Sequence, residues 1–163
     1  MAGVEPRSAE AADDWRIILQ RYLVFIAGAN LVWETAHLPL YTIWATGDVR
    51  ELAFAVVHCT AGDVLIATCA VVLALLVAGA GWPVSQAARH RVAALAVILG
   101  VGYTVFSEWL NIVVRRSWAY SSLMPVVPVI DTGLSPIAQW VVIPLMGLWW
   151  ARRSIVSRGH RPP

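Results

Sequence analysis

The chain has no lysine and little charge of either sign. All twelve basic residues are arginine, ten residues are acidic, and together they make up 13% of 163 positions. An ordinary soluble domain carries about 25% charged residues. So sparse a set cannot wet an exterior that faces water on every side. A net charge of +2 likewise leaves no strongly basic surface of the kind that holds nucleic acid. Cysteine is scarce too. Cys59 and Cys69 stand ten positions apart, about 15 Å along one helix, which is too far for a disulfide. Neither belongs to a CxxC pair, and both read as small apolar filler. No phosphate-binding glycine loop is present, because Gly100-x-Gly102 lies in an apolar run without a preceding strand. The segment Met1–Trp15 lacks the basic start and short apolar core of a cleavable signal. It carries Glu5, Glu10, Asp13 and Asp14 instead, so the first apolar run is expected to stay in the mature protein.

What is abundant is hydrocarbon, at 59% of residues. It is gathered into four runs, Leu19–Leu38, Leu52–Ala78, Val92–Val114 and Leu134–Ala151. Each is near the ~20 residues that a helix needs to cross a ~30 Å hydrocarbon layer. The pattern predicts an all-α fold: a polytopic integral membrane protein, one domain over 1–163, built as a four-helix transmembrane bundle with a basic tail from 152 to 163. Pro136 suits a helix start, whereas Pro144 is expected to kink the fourth helix. Loops are expected over Tyr41–Glu51, Gly79–Arg91 and Arg115–Gly133.

Arginine placement orients the bundle. With four spans, both termini and the second loop share a side, and that side holds Arg7, Arg16, Arg21, Arg89, Arg91, Arg152, Arg153, Arg158 and Arg161. The other side holds only Arg50, Arg115 and Arg116. Basic residues collect on the cytoplasmic face, so both termini are expected inside. The absence of lysine suggests a GC-rich bacterial genome, hence a bacterial inner membrane. Trp15, Trp82, Trp149 and Trp150 fall at inner helix ends, where interfacial rings are expected.

Ionisable groups inside a span cost about 2.5–3.5 kcal/mol each for aspartate on insertion scales, so each asks for a reason. Asn30, Glu34, His37 and Tyr41 follow one another at spacings of four, three and four, one face of a helix. Thr104, Glu108, Asn111 and Arg115 repeat the device on the third helix, with Arg115 placed as a counter-charge to Glu108. The second helix adds His58 and Asp63, which point about 140° apart, and the fourth adds Gln139. Glu34, His37, His58, Glu108, Asn111 and Gln139 lie in the outer half, with Asp63 nearest the midplane. Trp33, Trp109 and Trp140 lie deeper than an interfacial ring should, beside the polar positions.

These residues admit three readings. Glu34, Asp63 and Glu108 can serve as acid and base on a lipid or isoprenoid, because a carboxyl group in an apolar pocket can hold its proton at neutral pH. Asn30, His37, His58, Asn111, Gln139, Trp33, Trp109 and Trp140 would then bind the substrate, the indoles offering π faces to a developing cation. Alternatively, the acids titrate in a small transporter, or pair with a partner subunit during assembly of a membrane complex. Thirdly, His37 and His58 could hold a metal or haem, although no HxxxH or HExxH motif occurs. The expected partners are the lipid bilayer and a small apolar ligand, with no nucleic acid. An oligomer or a partner subunit stays open, and no cofactor is specified.

Glu108-x-x-Asn111, Trp118-x-Tyr120, Met124-Pro125 and Pro128 resemble the outer-loop region of bacterial carotenoid hydratases and small lycopene-cyclase membrane proteins. That resemblance implies isoprenoid chemistry, but the Pro-x-Glu-Glu motif of a cyclase is missing. Across the whole chain, and most clearly at Trp33-Glu34-x-x-His37-Leu38-Pro39-Leu40-Tyr41, the sequence resembles small four-helix inner-membrane proteins of bacteria, which implies the fold and no activity.

Overall fold

The buried positions of the first helix follow a single line: Ile18, Tyr22, Ile26, Asn30, Glu34 and His37. Steps of four and then three keep them on one face, and that face packs against two neighbours. A computed structural model describes the backbone from Pro6 to Arg158 and the side chains of residues 15–153. The acidic positions Glu5, Glu10, Asp13 and Asp14, and Arg7, Arg158 and Arg161 of the arginine count, lie outside the described side chains. The fold is 78% helical, with four helices long and apolar enough to cross a membrane.

These are α1 (Pro6–His37), α2 (Val49–Ala78), α3 (Gln86–Glu108) and α4 (Leu134–Arg158). Helix α1 packs on α2 and α4, and α3 packs on the same two, so the helices form a square in chain order. The start of α1, the end of α4 and the α2–α3 turn lie at one end, here the terminal end. The other two connections close the distal end.

Helices α1, α2 and α3 start before their apolar runs in the sequence, because a helix starts at its cap and not at its first apolar residue. Asp48 accepts from Arg50 N at 2.8 Å and from Glu51 N at 2.9 Å, while Glu51 Oε2 accepts from Asp48 N at 2.9 Å. This capping box starts α2 three residues before Leu52. Ser85 caps α3 through Ala88 N at 3.4 Å, so residues expected in the second loop are helical. Helix α4 continues past Pro144 to Arg158, which makes the start of the basic tail helical.

The distal connections are more ordered than the expected loops. Leu38–Leu40 forms a 3-10 turn and Ile43–Thr46 a single helical turn. After α3 the chain widens into a π-helical segment, Trp109–Val114. It then forms a two-residue antiparallel hairpin, β1 (Val126–Val127) with β2 (Thr132–Gly133). That hairpin is the one pair of strands among the described residues. Tyr41 and Tyr120 form an isolated antiparallel bridge, flanked by Thr42 N to Ala119 O and Ser121 N to Leu40 O, each 2.9 Å. The segment after α3 is thereby strapped across the end of α1.

Hydrocarbon fills the terminal half of the bundle: Ile18, Tyr22 and Ile26 against Val71, Ala74, Val92, Ile143 and Leu148. Two glycines let aromatic rings approach backbone, since a methyl on Gly100 would overlap the Trp140 ring and one on Gly147 would lie 3.1 Å from Tyr22 and Phe25. Close approach through small residues is the usual packing mode of helices in lipid. The outward faces are apolar as well: Val32 is 70% exposed and Leu76 77%.

Candidate functional site

In the distal half the same inward faces turn polar. Gln139, on the second turn of α4, is the hub. Its Nε2 donates to Asn30 Oδ1 at 2.8 Å, to Glu34 Oε1 at 2.9 Å and to Asp63 Oδ2 at 2.9 Å. Asn30 in turn donates to the Ile26 carbonyl at 2.9 Å. Three helices thus meet on one amide group. An amide NH₂ has two hydrogens, so three acceptors outnumber the donor's protons.

Glu34 has a second partner. His37 Nε2 lies 3.1 Å from Glu34 Oε2, and His37 Nδ1 lies 3.2 Å from Ser135 Oγ in the first turn of α4. Both ring nitrogens are therefore engaged. Asp63 accepts the shared Gln139 bond, and its carboxyl group also lies within hydrogen-bond reach of Glu34's.

Glu108 sits on a separate network. Tyr120 donates to its Oε2 at 2.5 Å, and Tyr41 donates to the same oxygen at 3.4 Å. The Tyr120 hydroxyl accepts from Gly133 N at 2.8 Å, so hairpin and strap orient it. Burial pushes both phenols above their usual range, and the Glu108 carboxylate pushes them further. Both remain donors at neutral pH. The Tyr41 ring stands 5.3 Å from that of His37 and 5.5 Å from that of Tyr120, a short aromatic bridge between the two networks.

Both networks open onto one cavity of about 360 Å³, a typical size for a small-molecule site. Glu34, His37, Asp63, Glu108, Asn111, Gln139 and Trp140 line it, as do Arg115, Trp118 and Tyr41. His58 reaches its rim, exposed and stacked on Phe54 at 5.3 Å. Asn30 stands behind Gln139 and supports it.

Two expected residues fall elsewhere, and a third lacks its expected partner. Trp109 is 51% exposed against Phe106, because the position after an inward Glu108 is turned about 100° away. Trp33 packs against the hydrocarbon core, off the cavity. Arg115 lines the cavity without an ion pair to Glu108, whose partners are the two tyrosines.

Tyr120, Trp118 and Ser135 join the site without having been singled out for it. Ser135 had a signal, since it stands four before Gln139 and shares its face. Tyr120 and Trp118 belong to a non-helical segment, where no periodicity points inward. Among the described residues, no three His, Cys, Asp or Glu side chains stand in a metal-holding arrangement. Comparison with protein-family models, with curated proteins and with solved structures finds no match to this chain.

Proposed function

We propose that this chain is a multi-pass protein of a bacterial inner membrane, with both termini cytoplasmic, and that its distal cavity performs acid–base chemistry on a lipid or isoprenoid. The apolar outward faces of four span-length helices support insertion. At the terminal end Arg21 lies over the Trp150 ring at 4.4 Å and Arg153 over Trp149 at 3.6 Å, a pairing suited to a headgroup layer.

The observation that carries the chemistry is the unequal supply of donors to three carboxyl groups around one cavity. Glu108 receives hydroxyl donors from Tyr120 and Tyr41, an environment for a carboxylate. Glu34 and Asp63 crowd one amide that lacks a hydrogen for each acceptor, and like charges so close do not both persist. Of these two carboxyl groups, His37 serves Glu34, so the retained proton belongs on Asp63. Asp63 is then the acid and Glu108 the base, on two walls of the same space. A proton given by Asp63 and another taken by Glu108 isomerises an apolar substrate at constant mass. With a water activated at Glu108, the same pair adds that water across a double bond.

Lipid extracts test this reading. Cells carrying the wild-type chain should contain a species whose mass matches a precursor or exceeds it by one water. Asp63→Asn and Glu108→Gln, present in the membrane at equal amounts, should each lower it by about 100-fold or more, the range of a lost general acid or base. Extracts indistinguishable from those of cells without the protein would overturn it.

A further inference from the structure

Next to the polar cavity a second hollow, of about 300 Å³, runs along the outside of the bundle between α2 and α3. Leu65, Cys69 and Leu73 form one wall, Leu99 the other, and Ala70 the floor. From Leu65 to Leu73 it extends about 12 Å along the helix. Ile66 and Tyr103 border both hollows, so the polar cavity and the apolar groove meet at those two side chains. Space is open at the junction's polar end, where a Cβ on Gly62 would meet nothing within 4 Å.

The cavity also holds an unanswered donor. Trp118 Nε1 is buried there without an acceptor, and a buried N–H left unpaired is costly. An acceptor brought by a bound molecule would satisfy it. Glu108, on the same cavity, offers acceptor oxygens. A hydroxyl is the simplest group that accepts from one and donates to the other.

From this geometry we infer that the site takes a single-chain amphiphile, its hydroxyl head in the polar cavity and its hydrocarbon chain in the α2–α3 groove, entering sideways from the bilayer. The inference rests on the acid–base reading only for what happens at the head; the route and the chain's seat stand on the groove itself. One groove bounded by two helices seats one chain, which sets a long-chain alcohol apart from a two-chain phospholipid.

Full-length protein in phosphatidylcholine vesicles provides the test. The probes are two long-chain primary alcohols, one with a photoactivatable diazirine near the chain end and one with it beside the hydroxyl. The chain-end probe should mark residues 65–73 and 99–103, and the head-end probe residues 104–118. Unlabelled alcohol should compete both away, and Ile66→Trp, which crowds the junction of the two hollows, should cut chain-end marking about tenfold. A readout free of any change in the groove uses Cys69 as reporter: in Cys59→Ser protein, the alcohol should slow its alkylation by a membrane-permeant maleimide. Marks spread over all four helices without competition would reduce the groove to ordinary lipid contact and overturn the inference. Equal competition by added phospholipid of another chain length would overturn the single-chain assignment. Specific marking together with unchanged lipid extracts in Asp63→Asn would retain the binding site and remove the acid–base reading. Changed extracts without groove marking would overturn the chain's seat and the sideways route and retain the acid–base reading.

Discussion

The two halves of the bundle interior share their helices and their spacing but not their chemistry. Along α1 the inward line is Ile18, Tyr22 and Ile26 at the terminal end, then Asn30, Glu34 and His37 at the distal end. Along α3 it is Ala88, Val92, Ala96 and Gly100, then Thr104 and Glu108. Periodicity states which residues face in; residue type states what the inside does. Hydrocarbon in the first half closes by fitting rings into glycine notches. In the second half the side chains reach one another at hydrogen-bond distance, and a cavity remains between them.

The comparison breaks most completely if the two ends face the wrong compartments. Reporter fusions at Ala45 and Ser122 should register outside, and one at Ser85 inside, as all-or-none signals. An inside signal at Ser122 would reverse the orientation and place the polar half in the other leaflet.

A smaller effect sharpens the contrast in energetics. Gln139→Leu strands two carboxyl groups and Asn30 at once and should cost about 3 kcal/mol or more, since hydrogen bonds to charged groups and their unsatisfied remnants are the expensive ones. Ile26→Val, one turn nearer the terminal end, should cost about 1 kcal/mol and leave the lipid product unchanged. Unfolding in detergent, set beside lipid analysis, checks both. Equal loss of product in the two variants would erase the distinction between a structural half and a chemical half.

The smallest effect concerns the phenols. Burial and Glu108 raise Tyr41 and Tyr120 above the ordinary range, so the fold favours their neutral forms. Their contribution to stability is whole below pH ~10, the unfolded value, and is lost as pH rises through the higher folded values. Alkaline titration followed by ultraviolet difference absorbance should show Tyr41 and Tyr120 ionising late, above pH ~10. Tyr120→Phe should remove one late-ionising phenol. An unchanged late phase in that variant would mean that Tyr120 is not held by Glu108.

Much of this arrangement was legible in the sequence, for definite reasons. Asn30, Glu34 and His37 lie on a helix, where spacing reports facing, and a polar residue in an apolar run stands out. Gln139 was visible for the same reason, and Ser135 could have been found by counting back four. Trp109 shows the limit: adjacency in sequence to Glu108 places it on a different face. Tyr120 and Trp118 depend on a strap whose path is set by long-range pairing with residues 40–42, which no local pattern encodes. The Glu108 counter-charge was misplaced because Arg115 was the nearest cation on the stripe, whereas the tyrosines that serve Glu108 come from two connections.

The widened turn after Glu108 has a consequence for how that strap is aimed. In Trp109–Val114 the bonds skip an extra residue, as in Arg115 N to Leu110 O at 2.8 Å. The segment therefore holds more chain than an α-helix of equal height. It works as a vernier between two rigid scales: upstream, Glu108 is fixed by bundle packing, and downstream, Tyr120 is fixed by its bridge to Tyr41. One residue fewer would close the turn into ordinary helix and swing all that follows by about 100°. The alignment of the Glu108 carboxyl group and the Tyr120 phenol is, in that sense, a matter of counting residues rather than of choosing them.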